Sequence, residues 1–143
     1  MKKTIIFKKP AALLNRRTNY KKLEIWGIAY KLVQDLYPII DRLPDYEEKN
    51  IADQMRRAVT SLPLNIAEGA SSRFLKVFNN HLNYAYGSAK ELGVLLLLCK
   101  NFNYINSDEF EDFYDRLDKL RAKTYKFIKN KESEIAYNQN NHY

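Results

Sequence analysis

Five polar side chains recur at intervals of three or four residues and would lie on one face of a helix; they are Arg57, Ser61, Asn65, Glu68 and Ser72. Pro63 lies in the same stretch, removes a backbone N–H and predicts a bend, leaving the Val59 carbonyl without its helical donor. These groups can form a hydrogen-bonded network, but they do not pair a nucleophile with a base. We interpret the stretch as a structural or assembly motif, with these members: Ser61, Pro63, Asn65, Glu68 and Gly69.

Two interpretations of this motif stay open. In a monomer it would be a polar contact between neighbouring helices. In an oligomer it could be a self-association surface or the lining of a central opening.

The other residues that could take part in catalysis or bind a metal lack the partner residues that such sites require. Di-iron sites in helical bundles use Glu-x-x-His pairs, and neither His81 nor His142 fits that pattern. Cys99 is predicted on the apolar face of a helix and is therefore expected to pack rather than react. No glycine-rich phosphate loop occurs. The sequence predicts a protein that is not an enzyme and that has no metal site or cofactor.

The basic charge is concentrated at the beginning of the chain. The formal net charge is +7, and residues 1–23 contain eight lysines and arginines but no acid, so the remainder holds 16 basic and 17 acidic residues. A basic arm on a near-neutral body is typical of nucleic-acid-binding proteins, although a solvated tail that aids solubility is the alternative. The candidate phosphate contacts are Lys8, Lys9, Arg16, Arg17, Lys21, Lys22, Arg56, Arg57, Arg73 and Lys76.

Long helices must position these residues, because only four glycines and four prolines interrupt 143 residues. Helices are predicted over residues 19–42, 45–69 and 73–102, and from Ser107 onward. Asp45 with Glu48 would form a capping box, Ser107 would be an N-cap, and Gly69 would follow a helix end. We predict an all-α fold, an antiparallel up-down four-helix bundle with a proline-bent second helix. Residues 1–18 would form a basic arm, residues 19–135 the bundle and residues 136–143 a polar tail.

Apolar spacing predicts the inward faces of these helices. Met55, Val59, Leu62 and Ile66 repeat through the proline of the second helix. The predicted inner face of helix one is Leu23, Trp26, Ala29 or Tyr30, Val33, Leu36 or Tyr37, and Ile40, and that of helix three is Phe74, Phe78, Leu82 or His81, Ala85, Ala89, Leu92, Leu96 and Cys99. Helix four repeats at three and four residues, through Phe110, Phe113, Leu117, Leu120, Thr124 and Phe127.

The compartment is predicted to be cytoplasmic. Cys99 is the only cysteine, so no intramolecular disulfide can form. No apolar run approaches the roughly 18 residues that span a bilayer, and the basic N-terminus lacks the apolar core of a secretory signal.

Several motifs resemble a known family. They are Leu23-Glu24-Ile25-Trp26, Gln54-Met55-Arg56-Arg57-Ala58, the Pro-x-Asn-Ile-Ala-Glu-Gly signature at residues 63–69, and Gly87-Ser88-Ala89-Lys90-Glu91-Leu92. They resemble the four-helix-bundle family first noticed in intervening sequences of bacterial 23S rRNA genes, and the resemblance covers about residues 20–130. The segments Leu36-Tyr37-Pro38-Ile39-Ile40 and Leu43-Pro44 look like its member, the accessory variability determinant of diversity-generating retroelements.

The resemblance implies a homo-oligomer, a pentamer, that binds RNA or an RNA–cDNA hybrid and assists a retroelement reverse transcriptase in mutagenic reverse transcription. One departure is that the family's Gly-Arg-Arg after the signature is Ala70-Ser71-Ser72-Arg73 here, which leaves fewer positive charges. The alternative is a self-assembling structural or protein-interaction bundle without a nucleic-acid partner. A third possibility is a membrane-surface protein that binds anionic lipid through its arm.

Overall fold

The computed structural model describes residue 15 and residues 18–141, and the predicted arm contacts at Lys8, Lys9, Arg16 and Arg17 lie outside these residues. Four α-helices follow one another, α1 (Glu24–Asp41), α2 (Ile51–Ser71), α3 (Leu75–Asn101) and α4 (Ser107–Asn141), with short 3₁₀ turns at Tyr20–Lys22 and Asp45–Glu47. No strand occurs among the described residues. Each helix packs against its neighbours in sequence and α1 also packs against α4, which confirms the predicted four-helix bundle.

One core runs through the bundle. The predicted inward faces of α2 and α3 are buried, including Met55, Val59 and Leu62, except that Phe74 stays exposed. In α1 the buried stripe is Ile25, Ala29, Leu32, Leu36 and Ile40. Ala29, Leu36 and Ile40 are among the predicted positions, whereas the predicted Leu23, Trp26 and Val33 lie at the margin of the stripe. Apolar residues flank the α1 stripe on both sides, so spacing alone places the buried face imprecisely.

Helix ends differ from the predicted caps. Asp45 begins a 3₁₀ turn rather than α2, which begins at Ile51. At the start of α4, the Glu109 N–H donates to Asn106 Oδ1 at 2.8 Å and the Asn106 N–H donates to Glu109 Oε1 at 3.1 Å. This reciprocal pair is a capping box with Asn106, not Ser107, at the cap. The helix also includes residues 136–141 of the predicted tail.

Helix α2 continues through Pro63. Hydroxyl groups supply extra donors just before the proline: Thr60 donates to the Arg56 carbonyl at 2.7 Å and Ser61 donates to the Ala58 carbonyl at 2.8 Å. Neither of these bonds reaches the Val59 carbonyl, and hydroxyl bonds to the preceding turn are often found where a helix bends.

Gly69 is needed for packing. It lies inside α2 rather than after its end, and no described glycine has a positive φ. A Cβ at this position would lie 2.8 Å from Phe78 Cδ2 and 2.9 Å from His81 Cβ. The absence of a side chain therefore lets α3 approach α2 closely.

Gly69→Ala is expected to lower the free energy of unfolding by about 1–3 kcal/mol, because Phe78 and His81 have to move aside. Urea unfolding measures this change. Gly87→Ala is the matched control, because a Cβ there meets nothing within 4 Å; it should stabilise the helix by about 0.5–1 kcal/mol. Equal effects of the two substitutions would contradict the close-packing role of Gly69.

Candidate nucleic-acid interface

The signature stretch of α2 forms a polar seam with α3, made of Ser61, Asn65, Glu68 and His81. Asn65 Nδ2 donates to the Ser61 carbonyl at 2.9 Å, which leaves Asn65 Oδ1 as the acceptor that lies 2.9 Å from His81 Nδ1. Glu68 Oε2 lies 3.7 Å from the same ring nitrogen. The hydrogen bonds therefore assign the proton to Nδ1 of His81, and they tie the two helices together.

His81 is the residue that sequence reasoning missed here. Its neighbour Leu82 is the buried one, whereas His81 lies at the edge of the apolar stripe. The other two members of the predicted polar stripe point to different partners. Arg57 pairs with Asp53 at 3.0 Å, and Ser72 Oγ accepts from the Phe74 N–H at 3.1 Å. The interhelical contact therefore includes only the middle three residues of the predicted polar stripe, and Arg57 and Ser72 take no part in it.

Arg56 is held by carboxylates rather than presented to solvent. Its guanidinium donates to Glu48 at 2.7 Å and to Asp41 at 3.2 Å. The hydrogen bonds that the guanidinium donates, first to Glu48 and then to Asp41, raise the pKa of Arg56. Glu48 was predicted to cap α2, but its carboxylate accepts hydrogen bonds from Arg56 instead. Through Glu48 and Asp41, the Arg56 guanidinium connects the end of α1 to the start of α2.

Asn15 anchors the end of the arm to the loop between α2 and α3. Its side-chain amide donates to the carbonyls of Ala70 at 3.3 Å and Ser72 at 3.0 Å, and its backbone N–H donates to the Arg73 carbonyl at 2.5 Å. The Thr18 N–H donates to the Ala70 carbonyl at 3.4 Å. The chain therefore enters the bundle beside Arg73, and Asn15 is a structural anchor that no sequence pattern indicated.

Cross-helix contacts define the two ends of the bundle. At one end Lys123 Nζ lies 3.0 Å from Glu24 Oε1, and the rings of Phe78 and Phe127 are 5.5 Å apart. At the other end Arg42 pairs with Glu109, and the hydroxyls of Tyr46 and Tyr104 are 3.2 Å apart.

The charges of the body separate between these ends. The basic end (residues 18–24, 68–81 and 121–137) carries nine lysines and arginines and four acids. The acidic end (residues 41–57 and 100–112) carries nine acids and five basic residues. A body that is nearly neutral on average thus has opposite potentials at its two ends, and the arm enters at the positive one.

Four of the predicted phosphate contacts lie at the basic end: Lys21, Lys22, Arg73 and Lys76. All four side chains are exposed, and none forms an ion pair within the described part of the chain. Arg56 and Arg57, by contrast, lie at the acidic end and are paired there.

A groove between α1 and α4 extends this basic surface, and Gly27 and Ile28 of α1 line part of it. The groove encloses about 530 Å³ and is bordered by Lys21, Lys22, Lys31, Arg116 and Lys119. Arg116 donates to Asp35 at 2.8 Å, which joins the two helices. Burial would raise the pKa of Asp35, but hydrogen bonds from Arg116 and Lys31 outweigh it and hold that pKa below its usual range.

Cys99 is packed in the core. Its Sγ lies 3.5 Å from the sulfur of Met55, and its surface is fully buried. Burial, with a smaller contribution from the charge of Glu47, raises the pKa of the thiol from 9.0 to about 11. Within the described residues no group of three or more His, Cys, Asp or Glu side chains could hold a metal ion.

The chain is similar to known proteins both in sequence and in fold. The sequence model of the 23S rRNA-intervening sequence protein family matches residues 21–126. The chain belongs to that family. A crystal structure of a protein of unknown function, from the S23 ribosomal protein family of Bacteroides thetaiotaomicron VPI-5482, is similar with a TM-score of 0.68 and 22% identity. The match covers 73% of this chain and 95% of that one, and it supports the bundle fold.

No curated protein matches the chain significantly. The helices that the structure describes include none that is both long and apolar enough to cross a membrane.

Native Cys99 is expected to resist iodoacetamide at pH 8 and to react only after unfolding, because the buried thiol keeps its proton. The raised pKa also has a stability consequence. Between pH 9 and pH 11 the unfolded thiol loses its proton while the folded one retains it, so the free energy of unfolding should fall as the pH rises.

Cys99→Ala is the control and should show a weaker pH dependence over that range in urea unfolding. Alkylation of native protein as fast as of urea-unfolded protein would contradict the burial of this thiol.

Proposed function

We propose that this protein is a non-enzymatic, homo-oligomeric nucleic-acid-binding protein that contacts RNA, or an RNA–cDNA hybrid, through its basic end. The observation that carries the proposal is the separation of charge in the bundle, with the arm anchored at the positive end by Asn15. Phosphate groups are the chemistry that such a surface attracts, since clustered lysines and arginines release counterions when they neutralise a phosphate backbone.

The contacts are to phosphate rather than to base edges. Lysine and arginine side chains on a convex helical surface fix the position of a backbone but carry little sequence information. Binding is therefore expected to be strongly salt-dependent and tolerant of sequence.

Self-association is the second part of the proposal, and exposed apolar side chains support it. Several large apolar residues on α2, α3 and the loop that follows remain exposed in a single chain: Leu64, Val77, Tyr84, Val94, Leu97 and Phe102. A pentamer, as the family resemblance implies, would cover part of this surface and bring five basic ends together. Because several subunits then bind the same nucleic acid, the overall affinity rises although each subunit makes the same few phosphate contacts.

The resemblance of residues 36–44 to the retroelement accessory protein extends the proposal to a partner. In that role the oligomer holds template RNA for a reverse transcriptase and assists mutagenic reverse transcription. The protein would bind and position the nucleic acid, and the polymerase would supply the chemistry.

Replacing Arg73 and Lys76 by alanine should weaken binding to a single-stranded RNA across all sequences. Loss of two phosphate contacts to a single strand is expected to reduce the slope of log affinity against log salt concentration by about 1.4. Fluorescence anisotropy over a series of salt concentrations measures both quantities.

The matched control is Lys49→Ala with Lys100→Ala, which removes the same charge from the acidic end. Its affinity should stay close to that of the parent, and light scattering should find both variants in the same oligomeric state. Equal losses in both variants would mean that net charge, not the basic end, governs binding. If the protein is an oligomer but does not bind RNA at physiological salt, the alternative of a self-assembling structural or protein-interaction bundle is favoured.

A further inference from the structure

We propose that a pocket between α3 and α4 binds an unpaired nucleotide, with its base against Tyr86 and Tyr125. The inference rests on the proposed function and refines it, because it names single-stranded nucleic acid as the ligand of this site. Neither the family assignment nor the basic end indicates such a preference.

Two tyrosines from different helices form one wall of the pocket. Their ring centroids are 6.1 Å apart and their planes are inclined by 44°. Tyr86 packs against the core, whereas Tyr125 is half exposed, so the ring of Tyr125 is accessible. Bases stack on such rings regardless of sequence, because every base offers a π-face.

The pocket is large enough for a nucleotide. It encloses about 610 Å³, within the range of roughly 300–1,000 Å³ typical of small-molecule sites. The lining combines the two tyrosines with small and charged residues of α4: Asp118, Lys119, Arg121 and Ala122. Ala122 has a short side chain, which leaves open space between the rings and the α4 backbone.

Positive charge surrounds the rings. Lys90 Nζ lies 5.1 Å from the centroid of the Tyr86 ring, and Lys129 Nζ lies 5.3 Å from that of Tyr125. Arg121 is paired with Asp118 at 3.2 Å and Lys129 with Glu132 at 3.2 Å, whereas Lys119 forms no ion pair within the described part of the chain. The flexible lysine stems can place ammonium groups on the phosphate of a nucleotide whose base is held by the tyrosines.

Lys119 connects this pocket to the α1–α4 groove. It borders both concave surfaces, so they meet across α4. A single strand can lay its phosphates along the groove beside Lys21 and Lys22 and turn one base into the pocket. A duplex cannot do so without unstacking, because both faces of its bases are already occupied. The pocket therefore favours single strands, whereas the basic end binds either form.

The test compares a single-stranded oligonucleotide with a duplex of the same length, using fluorescence anisotropy on the full chain. Substituting Tyr86→Leu and Tyr125→Leu together should lower single-strand affinity roughly 5-fold to 100-fold, as expected for a lost stacking contact, and leave duplex affinity unchanged. Tyr125→Phe keeps the ring and should keep the affinity.

The control substitutes Tyr46→Leu and Tyr137→Leu, two exposed tyrosines outside the pocket, and should leave both affinities unchanged. Because Tyr86 is partly buried, Ala122→Gln provides a second variant that fills the pocket without removing a ring. It should also lower single-strand affinity, and Ala136→Gln on the exposed surface of α4 should not.

Several outcomes would overturn the inference. Equal losses of single-strand and duplex affinity, or no loss in either tyrosine-pocket variant, would refute the stacking site while leaving the basic end as the binding surface. If the pocket variants change the oligomeric state but keep the single-strand affinity, the pocket is a contact between subunits rather than a nucleotide site. If the unsubstituted protein binds neither ligand, the proposed function itself fails, and this inference fails with it.

Discussion

The close approach of α3 to Gly69 is the contact on which the basic end depends. Phe78 occupies the space that a side chain at Gly69 would fill, so α2 and α3 remain tightly packed up to the short loop that joins them. That loop presents the carbonyls to which Asn15 binds. A glycine in the middle of a helix lowers its intrinsic stability, and here the loss is offset by a packing arrangement that also places Arg73 beside the incoming arm.

Charge separation gives the bundle a direction. Opposite potentials at the two ends orient an approaching polyanion toward the end where the arm enters. The ion pairs at the acidic end link α1, the start of α2 and α4 through Arg42 and Arg56. Exposed ion pairs of this kind each contribute little to the free energy of unfolding. Their guanidinium groups are consequently less available to phosphate.

Much of the architecture could be predicted from the sequence because the apolar spacing of α2, α3 and α4 is regular. The buried face of α1 was only partly predicted: Ile40 was placed correctly, but Ile25 and Leu32 compete with flanking Trp26 and Val33, and spacing does not decide between them. The proline and the signature glycine were noticed, but the packing role of Gly69 depends on Phe78 of another helix. His81 and Asn15 act through partners on other elements, so no local pattern revealed them. The charge separation was hidden by averaging over the body, since end-to-end placement requires the topology.

Lysine footprinting tests most directly whether nucleic acid contacts the basic end. Acetylation of the full-length protein, with and without a single-stranded RNA, is read out residue by residue by mass spectrometry. The charge arrangement predicts that RNA protects Lys21, Lys22 and Lys76, while Lys49 and Lys100 at the acidic end remain equally reactive. Protection of Lys49 and Lys100 with no change at Lys21, Lys22 and Lys76 would contradict it.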